Sequence, residues 1–506
     1  MADVVVYGGE LAGVAAALCA ARRAGDGAEV VLIFPEGAPG GIATVGGLCG
    51  WEHRYWTHGG RRDLPQAGSF ATWFSETGPI YSPGAFAAAL SDELADAGIR
   101  VLAGHEIEAV LPAGTAGGRG GRSRKPRPGP FAGIAAVRVR PLAQEGPGPV
   151  LAGEPEEIPG RIFIDGSATG RLARLAQVPL SLGRSDWNPD ARQMVASLLF
   201  AVENVDMGAL AAAHDAADKP LWGTAALDTP TGTRRTFWGG APIAAGDSVL
   251  AAFAAANPGF RIGAPRAWEE SPGVFWVSAL HVYNVDGRRR AYDATTDPET
   301  LPSTRDIDTA YAEARALIGS SDLLGSLRRF PGLDEVRLVE TAGAVRCGAV
   351  LCLRETVHAV GPAAQGFSVR VEDVTGAGAH AHEGMDARHH ARRIGLGFHW
   401  LENAGYTHGE VLRTTAAAAN PTYLPLDCVL VPPVANLLVP GYAARMESRA
   451  WWALRAAPNL CVLGDAAGTA AAFALHEGVD VLHFGHPEMA AVQSWLTTDG
   501  ARLDKW

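Results

Sequence analysis

The chain has 506 residues, of which 47% are hydrophobic and 19% charged, with 62 Gly, 33 Pro and a formal net charge of −11. That length excludes one ordinary core and implies two or three compact units, interleaved or consecutive, and the composition excludes a fibrous or disordered chain. The acidic balance argues against a general nucleic-acid binder, which needs clustered Lys and Arg; the one basic cluster, Arg119 to Arg127, sits among Gly and Pro and reads as a solvated loop.

Val4 to Tyr7 is a short apolar strand at the very start. A strand there leaves no place for a secretory leader, and no apolar run is expected to reach the length of a membrane span. The six cysteines, at positions 19, 49, 347, 352, 428 and 461, make no CxxC pair and no zinc spacing. Reduced thiols and a cytoplasmic protein are therefore expected.

The turn Tyr7-Gly8-Gly9-Glu10-Leu11-Ala12-Gly13 comes next, followed by an Ala-rich helix over Val14 to Arg23 and a second strand over Glu29 to Phe34. Strand, glycine turn, helix and strand in about thirty residues is the unit that sets a pyrophosphate at a helix N-terminus. Gly8 permits the tight turn, Gly13 lets helix and strand approach, and free backbone N–H groups face the phosphate oxygens. Glu10 stands where the middle glycine of G-x-G-x-x-G belongs, and a carboxylate there is unfavourable unless it reaches solvent or a ribose hydroxyl. A plain glycine-rich turn is the alternative at this point. Phe34 occupies the strand end where an acid normally meets the ribose, which leaves Glu36 as the candidate, against a merely solvated glutamate. Pro39 to Gly47 then carries four glycines in eight residues, a segment where backbone can approach a large planar ligand.

Ser82 as N-cap, Pro83 in the first turn and Gly98 as C-cap frame a helix over Gly84 to Ala97. Strands are expected over Ile99 to Leu102, Glu106 to Leu111, Ile134 to Val139 and Arg161 to Asp165, with a surface loop over 112 to 130. From about 185 to 380 the pattern is irregular β, with aromatic strands at Thr236 to Trp238 and Val274 to Val277, which marks a substrate domain. Asp306 to Gly325 reads as one helix. Near the end, Leu460 to Leu463 reads as a strand closing on Gly464-Asp465, with an Ala-rich helix opening near Ala467 as a second helix N-terminus.

In this order the segments resemble the FAD-dependent oxidoreductase family with a glutathione-reductase-like FAD domain, in the bacterial branch often labelled xanthan-lyase-like. The opening V-V-Y-G-G/A-T-x-A-G of that branch resembles Val5 to Gly13. Gly40-Gly41, Gly46-Gly47-Leu48, the stretch Ile164-Asp165-Gly166-Ser167-Ala168-Thr169-Gly170-Arg171-Leu172, Leu353-Arg354-Glu355-Thr356, and Gly441 to Arg455 with Pro458 to Ala470 are similar to its later motifs.

The resemblance implies an α/β fold: a Rossmann-like FAD-binding domain, parallel sheet with β-meander, from residues 1–184 and 426–506, interleaved with an α+β substrate domain from 185–425. It implies FAD as cofactor, with Gly8, Gly9, Glu10 and Gly13 at the pyrophosphate, Glu36 at the ribose, and Gly40, Gly41 and Thr44 along the ribityl and flavin. Ile107 would touch adenine through its backbone, with Ala168, Thr169 and Gly170 nearby. Gly464 and Asp465 would meet the ribityl or pyrophosphate edge, and Ala467, Gly468 and Thr469 would open the helix facing flavin N1/O2, where charge builds on reduction.

The expected activity is hydride transfer between a small organic substrate and flavin N5, with oxygen or another acceptor closing the cycle. An FAD monooxygenase or halogenase is an alternative, although Trp451-Trp452 does not make the W-x-W-x-I segment of the latter; a nucleotide-binding flavoprotein without turnover is another. His53, Arg354 and His399 are the catalytic candidates. Trp51, Arg54 and His58 lie close enough in sequence to line the ring, and Trp400 to stack in the pocket. Arg354 and Glu355 are expected to form a buried ion pair, and Arg455 to meet flavin or an anionic substrate group. The five histidines from His380 to His399 lack an H-x-x-x-H with an acid, so no metal is expected. The expected partner is a small molecule, with no nucleic acid and no membrane.

Overall fold

A computed structural model of the chain describes residues 1–25, 27–113, 132–145, 148–215, 222–293, 304–360, 367–375, 390–410, 413–415 and 420–505. The basic cluster 119–127 and His380, His382 and His389 lie outside the described residues.

The chain opens with β1 (Ala2–Tyr7), α1 (Leu11–Arg23) and β2 (Val30–Phe34). β2 is buried throughout, and β1 nearly so, which is why they read as unbroken apolar runs: a parallel sheet is covered on both faces. α2 (Pro83–Asp96) begins as expected, Ser82 Oγ accepting from the Ala85 N–H. β3 (Arg100–Ala103), β4 (His105–Pro112), β5 (Ile134–Glu145) and β6 (Glu156–Asp165) follow. β4, β5 and the first half of β6 form an antiparallel meander, with Val137 opposite both Val110 and Ile158. The second half of β6 turns into a parallel partner of β1, Val4 facing Ile162.

A second sheet, antiparallel throughout, contains β7 (Ala196–Glu203), β8 (Trp222–Thr229), β9 (Gly232–Gly239), β10 (Phe260–Ser271) and β11 (Val274–Val282), in the order β8-β9-β10-β11-β7. The single helix expected over Asp306 to Gly325 is two helices, α3 (Ile307–Ile318) and α4 (Ser321–Leu327). Ser320 caps the second, accepting from the Leu323 N–H, and so stops the first.

The last part corrects the reading most. β12 (Leu437–Leu438) pairs parallel with β6 and completes the parallel order β3-β2-β1-β6-β12. The strand-then-helix expected over Leu460 to Thr469 is instead the middle of one helix, α5 (Ala457–Glu477). Its apolar run is a buried helix interior, and a short apolar run cannot tell the two apart by periodicity. α5 lies along α1, close enough that a Cβ on Gly464 would stand 2.3 Å from the Ala12 carbonyl oxygen and one on Gly468 2.2 Å from that of Ala16. α5 is also long and apolar enough to cross a membrane, which corrects the expectation that no run reaches that length; it is packed inside this fold.

Candidate functional site

Three parallel strands, β1, β6 and β12, end beside the start of α1. The chain closes so tightly there that side chains are excluded: Gly8 has φ +111° and a Cβ on it would lie 2.4 Å from the Ser167 nitrogen, while one on Gly13 would lie 2.0 Å from the Gly8 carbonyl. Gly166 and Gly441, which stood inside motifs of the resemblance but were given no site role, belong to the same junction; a Cβ on Gly441 would approach the Gly166 carbonyl carbon to 2.6 Å. A small cradle of about 30 Å³ opens at this point, bordered by Gly8, Gly9, Glu10, Glu36, Thr169 and Arg174.

Guanidiniums surround the cradle. Arg171 binds Asp293 at 2.6 Å and Glu106 at 3.2 Å, and Arg290 binds Asp308 at 2.8 Å and reaches to 3.9 Å from Glu36. Glu36 thus faces the cradle, its carboxyl raised by burial against the pull of Arg290. Ile107 departs from expectation: its N–H donates to the Glu106 carboxylate and its carbonyl accepts from Arg171 Nε, so both backbone groups are engaged within the chain. Thr44 departs too, since its hydroxyl donates to the Pro39 carbonyl at 2.6 Å and shapes the turn rather than facing a ligand. Ala168 and Thr169 border the cradle, and Gly170, at φ +59°, starts the next short helix with its N–H on Ser167 Oγ.

Glu10 borders the cradle but is nearly shut off from solvent. It is 8% exposed, lies against Gly41, and accepts from the Ile42 N–H at 3.2 Å. Burial, then the charge of Glu36, push its carboxyl up to about 8, against the Ile42 amide.

Asp465 is not at a helix start. Its carboxylate accepts from the Ser69 N–H at 2.9 Å, from Ser69 Oγ and from Cys19, and burial pushes it up to about 6. Gly464, Ala467, Gly468 and Thr469 are interior positions of α5, Gly464 and Gly468 serving as its contact with α1, so none of them forms the N-terminal end expected there. The α5 start at Ala457 instead borders a different space.

That space is an inner cavity of about 330 Å³ on the second sheet. Ile42 and Leu48 line it from the glycine segment, Trp268 and His281 from the second sheet, and Arg354, Tyr442, Arg455 and Ala457 from the later chain. A bulge in β10 aims this wall: Ile262 pairs with Leu280 and Arg266 with Ser278, so two extra residues put Ala264, Pro265 and Arg266 on the cavity. One glycine of the Pro39–Gly47 segment is explained by packing after all, Gly47 against Trp276, and Gly50 just beyond it lies against Trp268.

An outer cavity of about 450 Å³ shares Glu52, Trp238, Arg266, Trp268 and Glu402 with the inner one. At this partition Arg266 pairs with Glu52 and lies 3.3 Å from Glu402, and Arg455 lies 3.6 Å from Glu402. Burial would raise Glu402, but Arg266, His399 and Arg455 bring it down to about 2. Sequence reasoning missed Glu52, Arg266 and Glu402; the Glu52 backbone, at φ +49° on a residue with a Cβ, is visible only in the fold.

The structure brings His53 and His399 to the outer cavity and Arg354 to the inner one. Burial and then Arg62 lower His53 to about 4, and burial lowers His399, so both rings are neutral near neutral pH. His399 bonds the Glu52 carbonyl through Nε2 at 2.7 Å. The expected Arg354–Glu355 pair does not form: Glu355 binds His358 at 3.0 Å and the Met194 N–H. Trp51 is a core residue packed on Phe70, Tyr81 and Phe86, and His58 binds Asp63; neither lines the inner or the outer cavity. Arg54 lies over the rings of Phe398 and Trp400, with Trp400 on the outer cavity. Among the described residues no His, Cys, Asp and Glu cluster has the make-up of a metal site.

A family model described as FAD dependent oxidoreductase matches residues 3–494. No curated protein is significantly similar to the chain. Among solved structures, the myxobacterial chondrochloren halogenase CndH is similar at 16% identity and TM-score 0.33, over 70% of this chain and 65% of the halogenase's length. A geranylgeranyl bacteriochlorophyll reductase-like protein from Thermoplasma acidophilum is similar at 12% identity and TM-score 0.38, over 98% of this chain and 83% of that one. The Diels-Alderase PyrE3 of pyrroindomycin biosynthesis is similar at 12% and TM-score 0.35, over 99% and 70%.

Proposed function

Since the chain belongs to the family of FAD dependent oxidoreductases, with FAD as its cofactor, we propose that it transfers a hydride between flavin N5 and a small organic substrate held in the joined cavities. Oxygen or another acceptor closes the cycle. The observation that carries this is a shared wall: Glu10, which borders the cradle, accepts from the Ile42 N–H, and Ile42 itself lines the inner cavity, so the segment after β2 stands between the turn after β1 and that chamber.

The side-chain-free junction at Gly8, Gly13, Gly166 and Gly441 fits a diphosphate at the uncapped start of α1. Gly9 borders it, Glu36 suits the ribose, and Gly40 and Gly41 immediately precede Ile42, which lines the inner cavity. Bound there, the flavin supplies the two-electron centre of the reaction. The protein's own contribution is enclosure and orientation: Leu48 and Trp268 exclude water, Arg354 and Arg455 present cations, and His53 and His399 present neutral imidazoles at the entrance. A neutral imidazole there positions a polar group and accepts a proton only weakly.

The division into a cofactor unit (1–184 and 426–506) and a substrate unit (185–425) is supported by the origin of the sheets, since the strands of the first come from residues 2–165 and 437–438 and those of the second from 196–338. Six unpaired cysteines support a cytoplasmic setting. Purified protein is expected to absorb near about 450 nm through bound FAD and to bleach anaerobically with a substrate. Gly8→Val, which drives a side chain into the Ser167 backbone, is expected to abolish FAD binding. A wild-type chain that takes up no FAD on reconstitution refutes the proposal, and FAD uptake without reduction by any of a broad metabolite panel favours a flavoprotein without turnover.

A further inference from the structure

We propose that the substrate of the inner cavity is a ring-bearing monocarboxylate whose carboxylate is held by Arg354; this rests on the function proposed above. Arg354 lines the cavity, donates through Nη1 to the Val195 carbonyl at 2.8 Å, and has no carboxylate within 4.0 Å among the described residues. The neighbour that sequence would pair with it, Glu355, is committed to His358 and to the Met194 N–H. Arg354 is half-buried on the cavity wall, and a guanidinium so placed with no carboxylate in contact is complementary to an anion entering the cavity.

The surroundings repeat that signal. Arg455 borders the same cavity; among the described residues its Nε has no partner and its one carboxylate, Glu402, lies at 3.6 Å and is shared with Arg266. Ala456 and Ala457 add the start of the 21-residue helix α5, where no side chain caps the free N–H groups. Ser197, on the opposite wall, is fully buried and its hydroxyl has no partner. A hydroxyl, a guanidinium fork and a helix start converging on one space match the oxygens of an anion.

The class of anion follows from what else lines the cavity. Glu52 and Glu402 oppose a dianion such as a phosphate monoester, whereas a single carboxylate matches the planar guanidinium of Arg354. Trp268, Leu48, Leu199 and Tyr442 supply the flat and apolar faces that suit a ring.

The test uses FAD-loaded wild-type protein titrated with benzoate, phenylacetate and indole-3-acetate, each against its primary amide, read by calorimetry and by the shift of the flavin absorbance band. At least one acid is expected to bind about 10- to 100-fold tighter than its amide. Arg354→Gln should erase that preference while retaining stoichiometric FAD, and Arg354→Lys should keep a weakened preference. Equal binding of acids and amides, or binding of no acid, overturns the proposal. So does loss of FAD from a folded Arg354→Gln protein, which assigns the guanidinium to the cofactor instead. Calorimetry on the chain without FAD reads the same preference, so a wild type that never takes up FAD refutes the proposed function without deciding the carboxylate site.

Discussion

Glu10 shows how one substitution within a familiar pattern changes its physics. A small residue in the middle of the turn leaves the phosphate path neutral, but here a buried carboxyl lies against Gly41 with Glu36 nearby and the Ile42 amide as its donor. Its folded pKa of about 8 stands above the ordinary value of 4.5, so the folded state binds the proton more tightly than the unfolded chain. Stability from this group is therefore fully present below about 4.5 and is lost as pH rises toward 8. Glu10→Gln removes the titration. Its stability is expected to lie close to that of wild type near pH 4.5 and to exceed it by as much as about 5 kcal/mol by pH 9. The same sign applies to the cofactor, because a diphosphate beside an ionised Glu10 is repelled: FAD affinity of the wild type should fall above pH 8, and that of the variant should stay flat. Fluorescence quenching of FAD across pH measures it; parallel pH profiles for the two proteins would sink the assignment.

At the scale of elements, the contact between α1 and α5 fixes where the cofactor turn sits, because α1 begins at that turn. The contact depends on Gly464 and Gly468, where a Cβ would meet the carbonyl oxygens of Ala12 and Ala16. Gly468→Ala should push the helices apart and cost roughly 1–3 kcal/mol, with FAD affinity falling in parallel as the turn shifts. Gly84→Ala, in the first turn of α2 with nothing within 4 Å of the new methyl, should leave stability unchanged or raise it by about 0.5–1 kcal/mol. Thermal melts of the two variants compare a packing glycine with a free one. The Gly-x-x-x-Gly spacing at 464 and 468 was readable as a helix–helix seam, but the apolar run ahead of it has the appearance of a strand and obscured it. β1, α1, β2 and α2 were legible because caps, glycines and buried runs agreed locally. The break between α3 and α4 and the two-residue strand β12 were not, since one depends on a single capping serine and the other is too short to carry a period. The glycine cradle was likewise legible, whereas the cavity wall was not: Glu52, Arg266 and Glu402 are drawn from three distant segments, and only the β10 bulge and the fold bring them together.

Across the whole molecule, the partition between the two cavities is also what ties its parts together electrostatically. Glu52 follows the glycine segment, Arg266 comes from the second sheet, Glu402 from the hairpin strand Leu401–Asn403, and Arg455 directly precedes α5. Glu402, held at about 2, contributes stability that is present above about pH 4.5 and lost as pH falls toward 2. Arg266→Met reverses that dependence. Glu52 and Glu402 then face each other without their shared guanidinium fork, burial raises the carboxyl that Arg266 had lowered, and stability is lost as pH rises through the new value instead. The gap in stability between wild type and variant should therefore widen from pH 3 to pH 8 and reach about 3–5 kcal/mol, the cost of removing one partner from a buried ion pair. Arg266→Lys, which keeps the charge but not the fork reaching both acids, should lose less and retain the sign of the wild-type pH dependence. Melting temperatures of the three proteins from pH 3 to 8 decide it: curves that stay parallel would mean that Arg266 contributes packing alone, and that the two sheets are held together by their tryptophan contacts with Gly47 and Gly50 rather than by charge.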